Sequence, residues 1–513
     1  MVKVRMELEE AKERSRLLED QKSSLESEAK SLRSLLENEK KNGAELVEMA
    51  KRNGQLDALK QRMQEQATRS SGTLAEAQAR IKELEHEVHQ GEALRRRMHN
   101  VIQELRGNVR VFARVRPFLP GDGDRYTQPY AMGEDSREEG LAATTCPTPV
   151  IKCTGGIEST TLVVDKPSAS VSADDSGAGV KGGGSSSGSY ASQTTGDSHA
   201  FSFDKCFPPS SGQEEVFKEV SEFVTSALDG YQVCLFSYGQ TGSGKTHTMQ
   251  GSGDGAMRGI IPRAIEQVGK YKSSLEGQGW SYSMQVTFVE IYNESIRDLL
   301  RSSDGAKKGP RGGEAQLDIR TAKDGSIFVT DATKMEVDPT DLCCISNIMD
   351  IAARHRAVSA TDMNAQSSRS HSIFTLHLTG VNEGTRSTIT GALNLVDLAG
   401  SERLSRSGAT GDRLKETQAI NKSLACLSDV FMAISNKQAH IPFRNSKLTH
   451  LLSPALSGDG KTLMLVNLSP TEESYFESLC SLRFASTVNK CELGKPKKNT
   501  GTVGGNTSKK NKK

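Results

Sequence analysis

The chain has 513 residues, of which 25% are charged and only 5% are aromatic, so part of it cannot form a hydrophobic core. Formal charges nearly balance, with 66 Lys and Arg against 64 Asp and Glu, which excludes a uniformly basic nucleic-acid binder. The nine cysteines form no C-x-x-C pair and no apolar stretch is long enough to cross a bilayer, so we expect a soluble protein with reduced thiols, in the cytosol or nucleus.

The first 107 residues contain no proline and are rich in Glu, Lys, Arg, Leu, Gln and Ala, as in a long exposed helix. A seven-residue repeat places Leu74, Ile81, Val88, Arg95 and Ile102 at a positions and Ala77, Leu84, Gly91, Met98 and Leu105 at d positions. Ile and Val at a with Leu at d favour two parallel helices. We therefore predict a coiled-coil stalk and neck over residues 1–107, pairing with an identical or related chain. A solvated single helix or a disordered charged arm is the alternative.

The pattern changes after Gly107 to an alternating, β-branched run over residues 108–115, which predicts the first strand of a globular domain. Residues from about 120 to 199 are polar and rich in Gly and Ser, so we expect a mobile surface insertion there. The globular domain should extend over residues 108–492. A basic disordered tail is expected over residues 493–513.

Strand-like runs alternate with helical ones between about residues 201 and 488. Residues 283–292 and 393–398, for example, have the pattern of strands. Such alternation predicts the α/β class, with a central, mostly parallel mixed sheet flanked by helices.

Residues 239–246, Gly-Gln-Thr-Gly-Ser-Gly-Lys-Thr, fit the pattern G-x-x-x-x-G-K-[ST] of loops whose backbone amides surround nucleotide phosphates. The apolar run 233–238 before the loop is typical of a buried parallel strand, and a helix from Lys245 would direct its N-terminus at the anion. The pattern predicts binding of ATP or GTP, the alternative being an ordinary glycine-rich turn.

Phosphoryl transfer also requires a metal, a positioned water and stabilisation of charge. Lys245 should neutralise the β- and γ-phosphates, and the Thr246 hydroxyl should bind Mg²⁺. The apolar run ending in Asp397 is typical of a carboxylate that holds the water shell of the metal, with Gly400 free to approach the γ-phosphate. A carboxylate that only caps a helix is the alternative for Asp397.

The polar segment 364–371, Asn-Ala-Gln-Ser-Ser-Arg-Ser-His, and the segment 397–403, Asp-Leu-Ala-Gly-Ser-Glu-Arg, resemble switch I and switch II of kinesin motor domains. The resemblance extends through residues 114–117, 201–204, 247–249, 289–294, 421–424 and 440–449. Together these segments span the chain from about 108 to 490 and imply the P-loop NTPase fold of a kinesin motor. The insertion before Phe201 is longer than the family usually carries.

The resemblance implies roles for individual residues. Ser368 would complete the Mg²⁺ sphere with Thr246, while Asp397 acts through water. Ser367 and the Gly400 amide would hold the attacking water. Arg369 and Glu402 would form an ion pair between the switches, and Glu402 can accept a proton through a second water. Because every position of this set is present, the resemblance implies an active ATPase.

The nucleotide contacts implied by the resemblance are Arg114, Arg116, Pro117, Gln240, Thr241, Gly242, Ser243, Gly244, Lys245, Thr246, His247 and Asn364. Adenine is expected to lie between Pro117 and His247. No guanine-reading Asn-Lys-x-Asp signature lies in reach, so Mg²⁺ and ATP are the expected cofactors.

Residues 414–430 have helical periodicity and resemble the kinesin relay helix that lies on the microtubule. A basic footprint for the acidic surface of tubulin is predicted at Lys415, Lys422, Lys437, Arg444 and Lys447. For each of these residues alone, a solvated surface charge is the alternative.

The coil precedes the motor, and residues 104–108 look like the neck of C-terminal-motor, class 14 kinesins. The resemblance implies a minus-end-directed microtubule motor of the cytoskeleton and spindle, whose coil acts as a lever. A coiled-coil P-loop ATPase acting on nucleic acid and a microtubule crosslinker with little turnover are the alternatives.

Overall fold

A computed structural model of the chain describes residues 1–53, 56–122, 149–155, 159–167, 198–253, 255–301, 317–322, 326–339, 341–359, 368–403, 412–494 and 496–502. The chain divides into two compact units, Met1–Arg106 and Gly107–Lys513. Among the described helices, none is long and apolar enough to cross a membrane.

The first unit is a hairpin of two long helices, α1 (Val2–Asn53) and α2 (Leu56–Arg106). Two contacts show that they run antiparallel. The Lys22 ammonium lies 3.4 Å from the Glu85 carboxylate, and Gln66 donates to Glu39 at 2.7 Å. Leu84, Val88 and Ile102 of the predicted seam are buried. The α2 seam is therefore covered at these positions by a helix of the same chain, while Leu105 at its end is 56% exposed.

This pairing differs from the predicted parallel association with a second chain. Helix α1 presents its own row of residues spaced by seven, of which Leu8, Ser15 and Ala29 are buried. A heptad pattern specifies that a seam is covered, but the spacing is the same for a partner helix within the chain or outside it. Helices α1 and α2 are separated by two residues in the chain. This short separation keeps the end of α1 next to the start of α2, which favours antiparallel pairing of the two helices.

The second unit is an α/β domain. Its strands run, in chain order, β1 Val109–Val115, β2 Ile151–Thr154, β3 Thr161–Asp165, β4 Ser198–Ser202, β5 Lys205–Phe207, β6 Gln232–Tyr238, β7 Trp280–Tyr292, β8 Ser295–Asp298, β9 Ile319–Thr321, β10 Ile327–Val329, β11 Met335–Glu336, β12 His371–Asn382, β13 Ser387–Asp397, β14 Lys461–Leu468 and β15 Thr500–Thr502. Its helices are α3 Gln213–Leu228, α4 Lys245–Met249, α5 Ile260–Glu276, α6 Leu342–Ser359, α7 Asp412–Ser435, α8 Lys447–Leu456 and α9 Tyr475–Asn489.

One large sheet has the strand order β11-β7-β12-β13-β6-β14-β1-β5. Strands β13, β6, β14, β1 and β5 pair in parallel, whereas β11, β7, β12 and β13 pair antiparallel. The fold class and the strands predicted at 108–115, 283–292 and 393–398 are confirmed. The antiparallel half is larger than the sequence indicated, since β7 and β12 are long and pair along their whole length.

Helices cover both faces of the sheet, so its central strands are buried on both sides. Leu235 and Phe236 are adjacent on β6 and both fully buried. Leu235 packs with the core beneath α3, α5 and α6, and Phe236 with the core beneath α7, α8 and α9. Burial on two faces explains why β6 reads as a continuous apolar run.

The predicted insertion at about 120–199 contains ordered structure. Strands β2, β3 and β4 form a small antiparallel sheet, in which Leu162 and Val164 are buried. Residues 149–155 and 159–167 within the predicted insertion are therefore described with ordered strands. Most of the Gly/Ser-rich sequence, including 168–197, lies outside the described residues.

The predicted disordered tail is also corrected. Strand β15 pairs antiparallel with residues 387–389 of β13, and the Asn499 amide donates to the Gly230 carbonyl at 2.9 Å. Backbone pairing of this kind needs few apolar side chains, so composition did not indicate it. Residues 503–513 lie outside the described part of the chain.

Candidate nucleotide site

The loop of residues 239–244 connects β6 to α4, as the motif predicted. Gly239, Gly242 and Gly244 have φ angles of 149°, 79° and 96°, a region that side chains rarely adopt. A Cβ at Gly239 would lie 2.3 Å from the Asn467 carbonyl oxygen. The loop is thus closely apposed to the end of β14, and glycine is required for that approach.

Lys245 begins α4 with its ammonium directed back into the loop. Its Nζ donates to the carbonyls of Gly239 at 2.9 Å and Gln240 at 3.0 Å. Burial lowers the pKa of Lys245, while Asp397 and Glu402 oppose that shift. A buried ammonium held at the phosphate loop by two backbone carbonyls is suited to an anion such as a phosphate.

Thr246 and Asp397 meet at the adjacent strand end. Asp397 lies beside Ser237 in the parallel pairing of β13 with β6. Thr246 Oγ1 donates to Asp397 Oδ2 at 2.7 Å, and Ser237 Oγ donates to Asp397 Oδ1 at 3.1 Å. Hydroxyl and carboxylate oxygens are hard ligands that suit Mg²⁺. This donor set therefore fits the predicted metal, with Thr246 as ligand and Asp397 behind it.

A cavity beside the loop coincides with the predicted base site. Its lining includes Arg114, Arg116, Pro117 and His247. Arg116 Nε donates to the Gly242 carbonyl at 2.7 Å, which joins the base segment to the phosphate loop. Burial, and secondarily Arg114, lowers the pKa of His247. The His247 imidazole is thus neutral near pH 7, as suits stacking on a base.

Three polar residues that line this pocket were not predicted: Ser211, Thr248 and Asn467. Gln213, which contacts Arg114 behind the lining, was not predicted either. The Arg114 guanidinium, whose pKa burial lowers to about 10, donates to Gln213 at 2.8 Å and Thr248 at 2.9 Å. Buried atoms without a partner among the described residues are Ser211 Oγ, Ser243 Oγ and Asn467 Oδ1. These atoms offer hydrogen-bonding capacity at the edge of the cavity. Ser243 belongs to the predicted loop, whereas tertiary structure brings Ser211 and Asn467 there.

Backbone hydrogen bonds join the two switch segments to each other and join switch II to the phosphate loop. The Gly400 amide donates to the Ser368 carbonyl at 2.8 Å, and the Ser401 amide donates to the Gly239 carbonyl at 3.1 Å. The amide predicted to hold a water at Gly400 is therefore bonded to switch I in this structure. Asn364 and Ser367 lie outside the described residues.

The predicted pair Arg369–Glu402 has other partners in the described contacts. Glu402 accepts from the Thr241 amide at 2.9 Å and from Thr241 Oγ1 at 2.5 Å. Arg369 Nη1 lies 3.2 Å from Glu416 Oε2 on α7. The Thr241 backbone and hydroxyl satisfy the Glu402 carboxylate, and Glu416 offers Arg369 an alternative acceptor.

Comparison with known proteins agrees with this geometry. A model of the kinesin motor domain matches residues 165–491. The chain belongs to the kinesin family. Kinesin motor domains homologous to this one are microtubule-stimulated ATPases, and such domains bind ATP with Mg²⁺.

The similar kinesins are of the C-terminal-motor class 14. Kinesin-like protein KIN-14D of Arabidopsis thaliana is 48% identical over 431 residues, 83% of this chain and 48% of that protein. Kinesin-like protein KIFC1 of Homo sapiens is 46% identical over 413 residues, 79% of this chain and 56% of that protein. The chain spans about half the length of the curated relatives it matches.

Solved kinesin structures are also similar. The C-terminal motor and motor homology domain of Kar3Vik1 fused to a synthetic heterodimeric coiled coil gives a TM-score of 0.65 at 38% identity, covering 84% of this chain and 99% of that one. The motor domain of Kar3 from Saccharomyces cerevisiae gives 0.56 at 39% identity, covering 75% and 100%.

The basic residues predicted as a kinesin footprint differ in their surroundings. Lys415 and Lys422 are exposed on α7, and Arg444 is exposed ahead of α8. Lys437 lies 3.5 Å from Glu492, and the half-buried Lys447 lies 3.7 Å from Asp318. Lys415 and Lys422 share one helix with Glu416, so they are the members most directly connected to the switches.

Proposed function

We propose that this chain hydrolyses Mg-ATP in a microtubule-stimulated reaction and converts turnover into movement along microtubules. The observation that carries the proposal is the contact of Arg369 with Glu416 at 3.2 Å. It connects the switch beside the phosphate loop to α7, the helix on which Lys415 and Lys422 are exposed. Nucleotide state and track affinity can thus be linked through one helix.

Binding and orientation come from the phosphate loop and the strand ends. Lys245 neutralises phosphate charge, and the loop amides orient the chain of phosphates. Thr246 and Ser368 would hold Mg²⁺, with Asp397 positioning Thr246 and the water shell. The ion, when bound, supplies charge neutralisation at the β- and γ-phosphates.

Hydrolysis requires Glu402 and Arg369 to change partners. In the structure Glu402 is held by Thr241 and Arg369 lies against Glu416. Closure of the switches would bring Arg369 and Glu402 together, leaving the Gly400 amide and Ser367 to hold the attacking water. Glu402 then accepts the proton through a second water. In this exchange Arg369 leaves Glu416 on α7. The reaction at the phosphates would therefore change a contact of the helix that carries Lys415 and Lys422.

The first test is ATP turnover by the full chain with and without microtubules. Lys415→Ala/Lys422→Ala should raise the microtubule concentration for half-maximal stimulation about tenfold, because two exposed charges that face an acidic surface are lost. Added salt should likewise raise the microtubule concentration that gives half-maximal stimulation of the parent chain.

Lys270→Ala is the matched control, since Lys270 is an exposed lysine on α5 and α5 covers the opposite face of the sheet. It should leave the microtubule dependence unchanged. Stimulation by DNA in place of microtubules would favour the nucleic-acid alternative, and binding without stimulated turnover would favour a crosslinker.

We further propose movement toward the minus end, with the helical unit as the lever. Support comes from the position of that unit before the motor domain and from similarity to class 14 kinesins. On a surface coated with the full chain, polarity-marked microtubules should glide with their plus ends leading. Gliding with minus ends leading would refute the direction.

The helical unit is also the proposed site of dimerisation, with a second copy or a related chain. The similar Kar3Vik1 structure is described as fused to a heterodimeric coiled coil, which supports this proposal by analogy. For the present chain, pairing between chains through the covered α2 seam requires α2 to part from α1. A dimeric motor of this kind would act in spindle or microtubule organisation.

A further inference from the structure

His371 is the last residue of the switch I segment and the first of β12, and it is only 2% exposed. Both ring nitrogens are engaged. The Ala399 amide donates to Nδ1 at 3.1 Å, and Nε2 lies 2.6 Å from Ser423 Oγ on α7. One imidazole therefore contacts switch II and α7 from a position at the end of switch I.

These contacts define the direction of each hydrogen bond. Because the Ala399 amide is a donor, Nδ1 is the acceptor, so Nε2 carries the proton and donates to Ser423. The Ser423 hydroxyl then donates to the Ile420 carbonyl at 2.7 Å. Burial, with a smaller contribution from Lys245, lowers the pKa of His371 to about 3. The imidazole is thus neutral near pH 7, in the single tautomer that this chain of bonds requires.

The ends of this chain of bonds lie at functional positions. Ala399 directly precedes Gly400, whose amide bonds the Ser368 carbonyl. Ser423 directly follows the exposed Lys422. A shift of the switch II backbone would therefore move the His371 ring and, through Ser423, the part of α7 that carries the predicted microtubule contact Lys422.

We propose that His371 and Ser423 are positioning residues that transmit the state of the switches to α7 and so set the degree of microtubule stimulation. The inference rests on the proposed motor function. Neither residue is assigned contact with nucleotide or track; each acts through the elements it joins.

The test compares Ser423→Ala with the parent full chain in ATP turnover at zero and saturating microtubules. The variant removes one buried hydroxyl and little volume. Loss of coupling should reduce the ratio of stimulated to basal turnover about fivefold to tenfold, with the KM for ATP and basal turnover within about twofold of the parent.

Ser370→Ala is the matched control. Ser370 is 1% exposed on the same segment, but its hydroxyl donates to Glu290 Oε1 on β7 at 2.6 Å, away from α7. Its loss should lower the thermal unfolding temperature and leave the stimulation ratio unchanged. A second variant, His371→Asn, cannot span the distance to Ser423 and should lower the ratio as Ser423→Ala does, with no further loss in the double variant.

The outcomes separate the two proposals. If the parent chain is not stimulated by microtubules, the proposed function fails. If the parent is stimulated and Ser423→Ala has the same ratio of stimulated to basal turnover, the coupling inference alone is overturned. An equal loss of stimulation in Ser423→Ala and Ser370→Ala would also overturn it, because a general packing defect would then explain both.

Discussion

Replacing Glu402 with alanine is expected to reduce ATP turnover about 10²–10⁴-fold, the range associated with loss of a positioned proton acceptor, while nucleotide affinity stays within about threefold of the parent. The described hydrogen bonds of Glu402 are to Thr241, and the phosphate- and metal-binding groups Lys245 and Thr246 do not bond to it. Titration with a fluorescent nucleotide and steady-state phosphate release measure the two quantities separately.

Two controls sharpen this prediction. Glu402→Gln retains a side chain that can reach Thr241 but cannot take up a proton, so it should be as inactive as Glu402→Ala. Glu416→Ala removes the carboxylate that contacts Arg369 in the structure and leaves the proton acceptor in place, so it should retain most of its basal turnover. Unchanged phosphate release in Glu402→Ala would remove Glu402 from the reaction.

Lys245→Met should lower nucleotide affinity by at least about 100-fold, because hydrogen bonds from a charged donor contribute about 1.5–3 kcal/mol each and this ammonium can reach two phosphates. Removal of its bonds to Gly239 and Gln240 should destabilise the loop only slightly, since the Gly239 carbonyl still accepts from the Ser401 amide and the Gln240 carbonyl from the Ser243 amide. Calorimetric titration with Mg-ATP measures the affinity.

Lys461→Met is the matched control for a buried lysine. Lys461 is 2% exposed at the start of β14, where it donates to Ser226 at 2.9 Å and lies over the ring of Tyr231. Its substitution should reduce stability without changing nucleotide affinity. Equal affinity losses in both variants would mean that stability, rather than phosphate contact, explains the effect at Lys245.

Sequence reasoning located the residues whose chemistry depends on local spacing. The phosphate loop, Lys245, Thr246 and Asp397 were predictable because a strand, a tight loop and a helix follow one another directly in the chain. The adjacency of Asp397 to Ser237 follows from parallel pairing. The predicted roles of Ser367 and Asn364 remain predictions.

Other parts of the site had no local signal. Gln213 reaches Arg114 across a separation of 99 residues, and Asn467 approaches Gly239 only because β14 lies beside β6. Nothing in the immediate sequence of either residue indicates a base pocket. The partners of Arg369 and Glu402 were also unpredictable, because two carboxylates compete for one guanidinium and sequence does not rank them.

The hairpin of α1 and α2 has a consequence for how many motor domains act together. The seam of α2 is largely covered within the chain, so a second chain would bind this seam by replacing α1. The free energy gained is then the difference between two similar helix pairings. A partner tethered by a short connection acts at an effective concentration in the millimolar range. A dimer paired through this seam, with two motor domains, would therefore form only where a second chain binds α2 much more tightly than α1 does. The number of motor domains in one molecule would then depend on the sequence of the helical unit.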